Sequence, residues 1–241
     1  MTCVTTPGSG KKTIRMALNN KVIYNIKELQ EQYEFLTKNV IVYFINITKR
    51  WVDYMEIINT KLEGVVIIEP KVFGDNRGFF MESYNQEKFQ QVGLKYKLIQ
   101  DNHSLSVEPG VLRGLHYQLN PKAQTKIVRV ATGAIYDVVV DIRKESPTFG
   151  EWIGAILSEH NKRQIVVPKG FAHGFCTLVP NTNVLYKVDE YYSKEHDRGI
   201  LWNDPDIGIE WPICNPILSE KDKVHPPLTG ADINFQYGDK I

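Results

Sequence analysis

Two short stretches of this chain carry residue types suited to proton transfer and anion binding. In Val111-Leu112-Arg113-Gly114-Leu115-His116-Tyr117-Gln118, a guanidinium and an imidazole stand three residues apart in an apolar run that reads as a strand. An imidazole titrates near about 6.5 and can take and return a proton at neutral pH, while a guanidinium fork suits phosphate oxygens. Strict alternation puts Arg113 with Leu115 on one face and Gly114 with His116 on the other. A bulge at Gly114 would instead aim Arg113 and His116 into one pocket. The plainer reading, a core strand ending in a buried and hydrogen-bonded histidine, rests on the same residues. In the second stretch, Pro168-Lys169-Gly170-Phe171-Ala172-His173-Gly174-Phe175, proline and glycine form a tight turn that delivers His173 onto the next strand.

The elements that must position these groups belong to a chain of 241 residues, 42% hydrophobic, enough for one large or two small domains. Net charge is +1, so bulk electrostatics give no reason to expect a nucleic acid or an anionic membrane as partner; an anionic ligand must be held by local arginines. Cys3, Cys176 and Cys214 are odd in number, far apart and without a Cys-x-x-Cys pair, and read as reduced thiols of a cytoplasmic protein. The longest apolar run, 40–45, is too short to span a bilayer, so a soluble protein is expected.

Residues 1–54 read as different material from 55–241. They are rich in Lys, Asn and Thr, with a short helical pattern over 26–36, and form either an N-terminal extension or the product of an upstream start codon. Residues 7–13 resemble a phosphate loop superficially but lack its spacing, since glycine would be needed at Thr5 and a hydroxyl at Lys12.

From residue 62 onward the pattern is strands at 65–69, 78–83, 98–100, 111–117, 125–131, 134–142, 152–157, 164–167, 173–178 and 183–191, separated by turn signals such as Pro109-Gly110 and Thr132-Gly133. Such spacing predicts an antiparallel sandwich or barrel. One helix is expected over 85–93, with Asn85 as cap and Gly93 as stop, and Ser219 is placed to cap a short turn in the Pro-rich tail. Phe79, Phe80, Trp152 and Phe175 are read as core packing.

The stretches 114–118 and 168–175 together resemble the two motifs of the cupins, small jelly-roll β-barrels that point histidines inward. A metal-binding cupin would supply His-x-His and a following glutamate. Here Gln118 stands two after His116 and no glutamate precedes Pro121, so no metal is expected and the pocket is left for acid–base chemistry.

More specifically, residues 62–226 resemble the dTDP-4-dehydrorhamnose 3,5-epimerases. The resemblance is carried by segment 69–84 around Arg77-Gly78-Phe79-Phe80, by Gln100-Asp101-Asn102-His103-Ser104, by Leu112-Arg113-Gly114-Leu115-His116, by segment 141–150, by 168–175 and by Leu201-Trp202-Asn203-Asp204. It implies inversion at the two carbons flanking a sugar ketone, without a cofactor. On that resemblance His116 is the base, Asp222 its orienting carboxylate, Lys126 the cation near the C4 oxygen that favours the enolate, and Tyr186 the proton donor on the other ring face.

The same resemblance assigns substrate contacts to Arg77, Glu82, Gln100, Asn102, Arg113, His173 and Lys221, and the stack on the thymine to Tyr192, with Tyr191 adjacent. Asp197 falls where relatives often carry glutamate. A homodimer whose sites draw Arg77 and Glu82 from the partner is also implied. A single-carbon epimerase, a 3,4-ketoisomerase and a non-catalytic nucleotide-sugar-binding protein stay open as alternatives. Taken singly, Arg77 has an ion-pair reading, Tyr186 a half-buried strand reading and Asp222 a helix-terminal one.

Overall fold

The structure is a computed structural model that describes residues 17–18, 21–22, 49–52 and 55–239. The expected helix at 26–36, the apolar run 40–45 and the loop at 7–13 lie outside the described residues.

The strands are β1 (Ala17–Leu18), β2 (Lys21–Val22), β3 (Lys49–Val52), β4 (Met55–Asn59), β5 (Val66–Pro70), β6 (Phe73–Asp75), β7 (Gly78–Phe80), β8 (Gln100–Ser106), β9 (Leu112–Gln118), β10 (Lys126–Thr132), β11 (Ala134–Asp141), β12 (Trp152–Ser158), β13 (Gln164–Val167), β14 (Phe171–Thr177), β15 (Thr182–Val188) and β16 (Asp197–Gly199). One α-helix, α1 (Gln86–Gln91), interrupts them, with Asn85 accepting from the Lys88 N–H as cap. The strands form a seven-stranded sheet in the order β3-β4-β5-β13-β10-β15-β8 and a five-stranded sheet in the order β12-β11-β14-β9-β16; β6–β7 and β1–β2 are separate hairpins. Pairing within both sheets is antiparallel, giving the expected mainly-β sandwich of cupin type.

Period-two alternation explains how the layers stack. Val128, Val130, Ile165, Val167 and Val184 of the larger sheet meet Ile135, Val139, Ile153, Phe171 and Phe175 of the smaller one in a single core. Each such side chain contributes about 1.5–3 kcal/mol on burial. The odd-face partners Ile127 and Val166 pack outward with Phe89 of α1. Leu112, Leu115, Tyr117, Val138 and Val140 face outward from the smaller sheet and are covered by the tail through Ile207, Trp211, Leu228, Ile233 and Phe235.

Several expectations are corrected. In place of the strand expected at 98–100, β8 starts at Gln100 and runs to Ser106, because its polar residues line the inner face while the edge stays wet. Strands β3, β4, β6 and β16 were not anticipated, and β3 extends the larger sheet to residues before 55. Phe79 and Phe80 are exposed at 57% and 67%, since β6–β7 pairs with itself and stands off the sandwich. Phe175 is in the core as expected. Cys214 is disulfide-bonded rather than reduced; Cys176 is free and buried, its thiol pushed up to about 12 by burial.

Candidate active site

The site begins with an irregularity in β9. Its pairing with β14 matches His116 with His173 but Arg113 with Phe175, a shift of one residue between the two pairs. Gly114 lies at that shift with φ +130°, and a Cβ there would collide with the Cα of Gly174 and the carbonyl of His173. The extra residue lets Leu112, Leu115 and Tyr117 all pack outward against the tail. Arg113 and His116, three residues apart, therefore share the inner face.

The inner face of the larger sheet supplies the opposite wall. Register pairs Val128 with Tyr186 and Lys126 with Val188 on adjacent strands, and Tyr186 with Asn102 and Val188 with Gln100 on the next. Lys126, Tyr186, Gln100 and Asn102 consequently project from one face, and Tyr186 packs against the core between the sheets. Burial raises the Tyr186 phenol above its ordinary value against the opposing pull of Arg113, which ties the two walls together. Gln100 donates from Nε2 to Asn102 Oδ1 at 2.8 Å.

His116 finds its partner far along the chain. Its Nε2 is 2.5 Å from Asp222 Oδ1, with the imidazole 31% exposed and the carboxylate only 4%. Asp222 is held by Ser219, whose Oγ accepts from the Asp222 N–H at 3.1 Å, the expected cap. The loop is pinned at both ends. Ile217 bridges Val111, bonded to Gly110 and Leu112, and the Leu201 N–H donates to the Pro226 carbonyl. Burial pushes the Asp222 carboxyl up, but hydrogen bonds from His116 and Ser219 and the charges of His116 and His225 outweigh it and hold it below the usual range. An ionised carboxylate there fixes the imidazole's tautomer, leaving the other ring nitrogen to act as base.

Two further groups complete the charge pattern. Burial pushes the Lys126 ammonium down to about 8, with Lys221 pushing the same way and Asp197 and Asp137 pulling against it. His173 Nε2 lies 2.9 Å from Asp137 Oδ2, a second imidazole–carboxylate pair. Asp137 is fully buried and its other oxygen has no hydrogen-bond partner; burial raises its carboxyl despite His173 and Lys126.

Sequence reasoning missed Asp137, although an aspartate inside the apolar run Ala134–Asp141 was itself a signal. It also missed the work of Gln118, which donates to the carbonyls of Lys122 (2.5 Å) and Tyr191 (3.2 Å) and accepts from the Ser193 N–H (2.7 Å). The side chain that removed a metal-cupin reading therefore anchors the loop bearing Tyr191 and Tyr192. The Tyr192 hydroxyl donates to Asp197 Oδ2 at 3.1 Å, and the same carboxylate oxygen pairs with Lys221. Tyr192, Lys221 and Asp197 are thus one cluster beside β16. Nothing in the Pro-rich tail signalled His225, whose ring is edge-on to His116 at 5.6 Å.

Arg77 and Glu82 are not brought to this face within one chain. Arg77, at the tip of the β6–β7 hairpin, is 85% exposed and pairs with Asp75. Glu82 binds Lys88 and Asn85 and lines an outer cavity with Met55, Ile68 and Phe89. A different cavity of about 390 Å³ is lined by Lys169, Arg143 and Tyr237. Its polar groups are already engaged, Arg143 by Asp141, Lys169 by Asp189 and Tyr237 by Glu63.

The sequence profile described as dTDP-4-dehydrorhamnose 3,5-epimerase matches residues 59–230. A Shigella flexneri protein of that name is 59% identical over 179 residues, covering 74% of this chain and 98% of its own. A Bacillus anthracis dTDP-4-dehydrorhamnose 3,5-epimerase crystal structure with TDP and PPi bound superposes with TM-score 0.71 at 58% identity, covering 72% of this chain and 99% of that one. A Legionella pneumophila dTDP-6-deoxy-D-glucose-3,5-epimerase in complex with dTDP-4-keto-L-rhamnose gives TM-score 0.74 at 45% identity, over 77% and 100% of the two chains.

Proposed function

The chain belongs to the dTDP-4-dehydrorhamnose 3,5-epimerase family, and from that premise we propose that it inverts C3 and C5 of dTDP-4-keto-6-deoxyglucose on the route to dTDP-L-rhamnose. The observation that carries this reading is the His116–Asp222 pair on one wall of the sandwich interior, with Tyr186 and Lys126 on the other.

A proton α to a ketone is acidic only insofar as the enolate is stabilised. His116, fixed by Asp222, removes it. Lys126, on the opposing wall, is assigned the cation that favours the developing C4 oxyanion over the neutral ketone, which lowers the barrier rather than merely tightening binding. Tyr186, from the opposing sheet, returns a proton to the other face of the ring, so the stereocentre is inverted rather than restored. His116 then releases its proton to solvent and Tyr186 takes one up, and with both groups reset the two steps repeat at the second carbon.

Arg113, Gln100, Asn102, His173, Lys221 and Tyr192 line the same interior or its mouth, and we assign them to the nucleotide sugar, Tyr192 to the base. Arg77 and Glu82 join from a second copy of the chain in a homodimer; the uncovered Phe73, Phe79 and Phe80 on their hairpin support such a contact. Residues 1–54 lie outside this chemistry as an extension. No helix among the described residues is long and apolar enough to cross a membrane.

The test is incubation with dTDP-4-keto-6-deoxyglucose in deuterated water. Deuterium at both C3 and C5 is the expected result. Label at one carbon alone would favour a single-carbon epimerase, and none at either would refute the assignment.

A further inference from the structure

We propose that His116, Asp222 and His225 form a binding site for one d-block divalent cation such as zinc, and that its occupancy suppresses proton transfer by His116. The donor atoms are the two imidazole Nε2 atoms and one carboxylate oxygen, all within 4.8 Å of one another. The Nε2 atoms of His116 and His225 lie 2.5 and 3.5 Å from Asp222 Oδ1.

His225 is the informative member. Its side chain is only 10% exposed, and its Nε2 is buried without a hydrogen-bond partner, aimed at the carboxylate that His116 already holds. A buried polar nitrogen left unpaired is a departure that asks for a ligand. Room for the ring comes from Gly199, paired with His116 across β9 and β16, where any Cβ would overlap the His225 imidazole.

The donor set selects the metal class. Two imidazoles and one carboxylate suit zinc, iron, nickel or cobalt, whereas magnesium and calcium favour all-oxygen shells. Zinc bonds of about 2.0–2.1 Å put tetrahedral donors about 3.3 Å apart. The His225–Asp222 separation is already close to that value. The His116–Asp222 separation must open as the cation takes the place of the shared proton, which moves to Nδ1 of His116. The loop that carries Asp222 and His225 is anchored at Ile217 and Pro226, so these donors are held in place. The partly exposed His116 gives the cation an entry and leaves a coordination position open to solvent. This is not the His-x-His set of a metal cupin, because two donors come from the tail and not from the barrel strands.

Suppression of turnover rests on His116 being the base. A cation on its Nε2 takes that atom's lone pair and the Asp222 oxygen, so the ring's single proton moves to Nδ1, and the nitrogen that acts as base is no longer free to accept one.

The experiment uses the full chain freed of metal, with zinc chloride titrated calorimetrically and the bound zinc examined by X-ray absorption. One zinc per chain with two imidazole nitrogens in its shell is expected, and His225→Gln should weaken binding by at least about tenfold. Equal affinity in His225→Gln, or a zinc shell without imidazole, overturns the site. The absorption measurement on the unsubstituted protein decides the matter if the variant does not fold. Zinc should also slow C3 and C5 deuterium exchange in the unsubstituted protein. Zinc bound as described with exchange unaffected would overturn the inhibition and the base assignment together, whereas failure to bind leaves the base assignment standing.

Discussion

Nε2 of His116 lies 2.5 Å from Oδ1 of Asp222, across 106 residues of chain. The carboxylate is buried, anchored by Ser219, and held ionised by its partners; in the proposed mechanism it orients the imidazole and balances the charge formed on proton abstraction. Asp222→Asn should lower kcat by about 10²–10⁴-fold with a small change in KM, and His116→Ala should abolish solvent exchange at C3 and C5. Steady-state kinetics with exchange followed by NMR provides the check. Near-normal kcat in Asp222→Asn would remove the dyad from the mechanism.

Tyr186 reaches the interior from the opposite sheet, and burial keeps its phenol protonated well past neutral pH. Removing the hydroxyl should leave proton abstraction running while spoiling delivery to the far face. In Tyr186→Phe, deuterium should still enter the substrate but accumulate in uninverted or singly inverted sugar. Correct product at the normal rate would dismiss the tyrosine as donor.

Burial places the Lys126 ammonium at about 8. The cation is present below that pH and lost above it, so stabilisation of the enolate, and with it kcat, should fall as pH rises through about 8. Lys126→Arg keeps a positive charge at all working pH values and should lose this alkaline limb, though at a reduced rate. A kcat–pH profile of both proteins tests the point; an alkaline limb common to both would assign it elsewhere.

Gly114 makes the one-residue shift between β9 and β14 possible. Alanine there meets both an unfavourable φ and the backbone of Gly174 and His173, so Gly114→Ala should cost about 1–3 kcal/mol of stability and most of the activity. Urea unfolding measures the first, and an unchanged midpoint would show that the bulge tolerates a side chain.

The proposed sharing of sites between two chains makes a prediction that one chain alone cannot satisfy. Arg77→Ala and His116→Ala should each be inactive or nearly so, yet unfolding and refolding them together should restore up to about a quarter of wild-type activity, since half the dimers are mixed and each mixed dimer has one intact site. No recovery in verified mixed dimers would place Arg77 and His116 of the same chain in one site.

Short runs rich in Val, Ile, Phe and Tyr, separated by turn signals, were enough to reveal an antiparallel sandwich or barrel, because segments such as Lys126–Thr132 and Gln164–Val167 are too short and too β-branched to read as helices. The helix at Gln86–Gln91 was equally legible, its cap and stop being local chemistry. Strand β8 was read short because its inner face is polar, and hydrophobic pattern is silent where a sheet lines a site rather than a core. The exposed aromatics of β6–β7 were misjudged because an apolar residue at a strand position does not by itself say that its strand packs on the core, and this hairpin pairs with itself.

The residue types needed for proton transfer were present in the sequence, and matching to a family named His116, Lys126, Tyr186 and Asp222 one by one. What the chain order could not state is which of them meet. Alternation alone would have parted Arg113 from His116, and only the bulge, which exists because β14 packs against Gly114, puts them on one face. Asp137 and His225 join the site, and Gln118 turns to the Tyr191–Ser193 backbone, through contacts between strands and tail that are distant in sequence. Local propensity acts over a few residues, whereas a site is defined by the distances left once two sheets and a tail have closed over their cores.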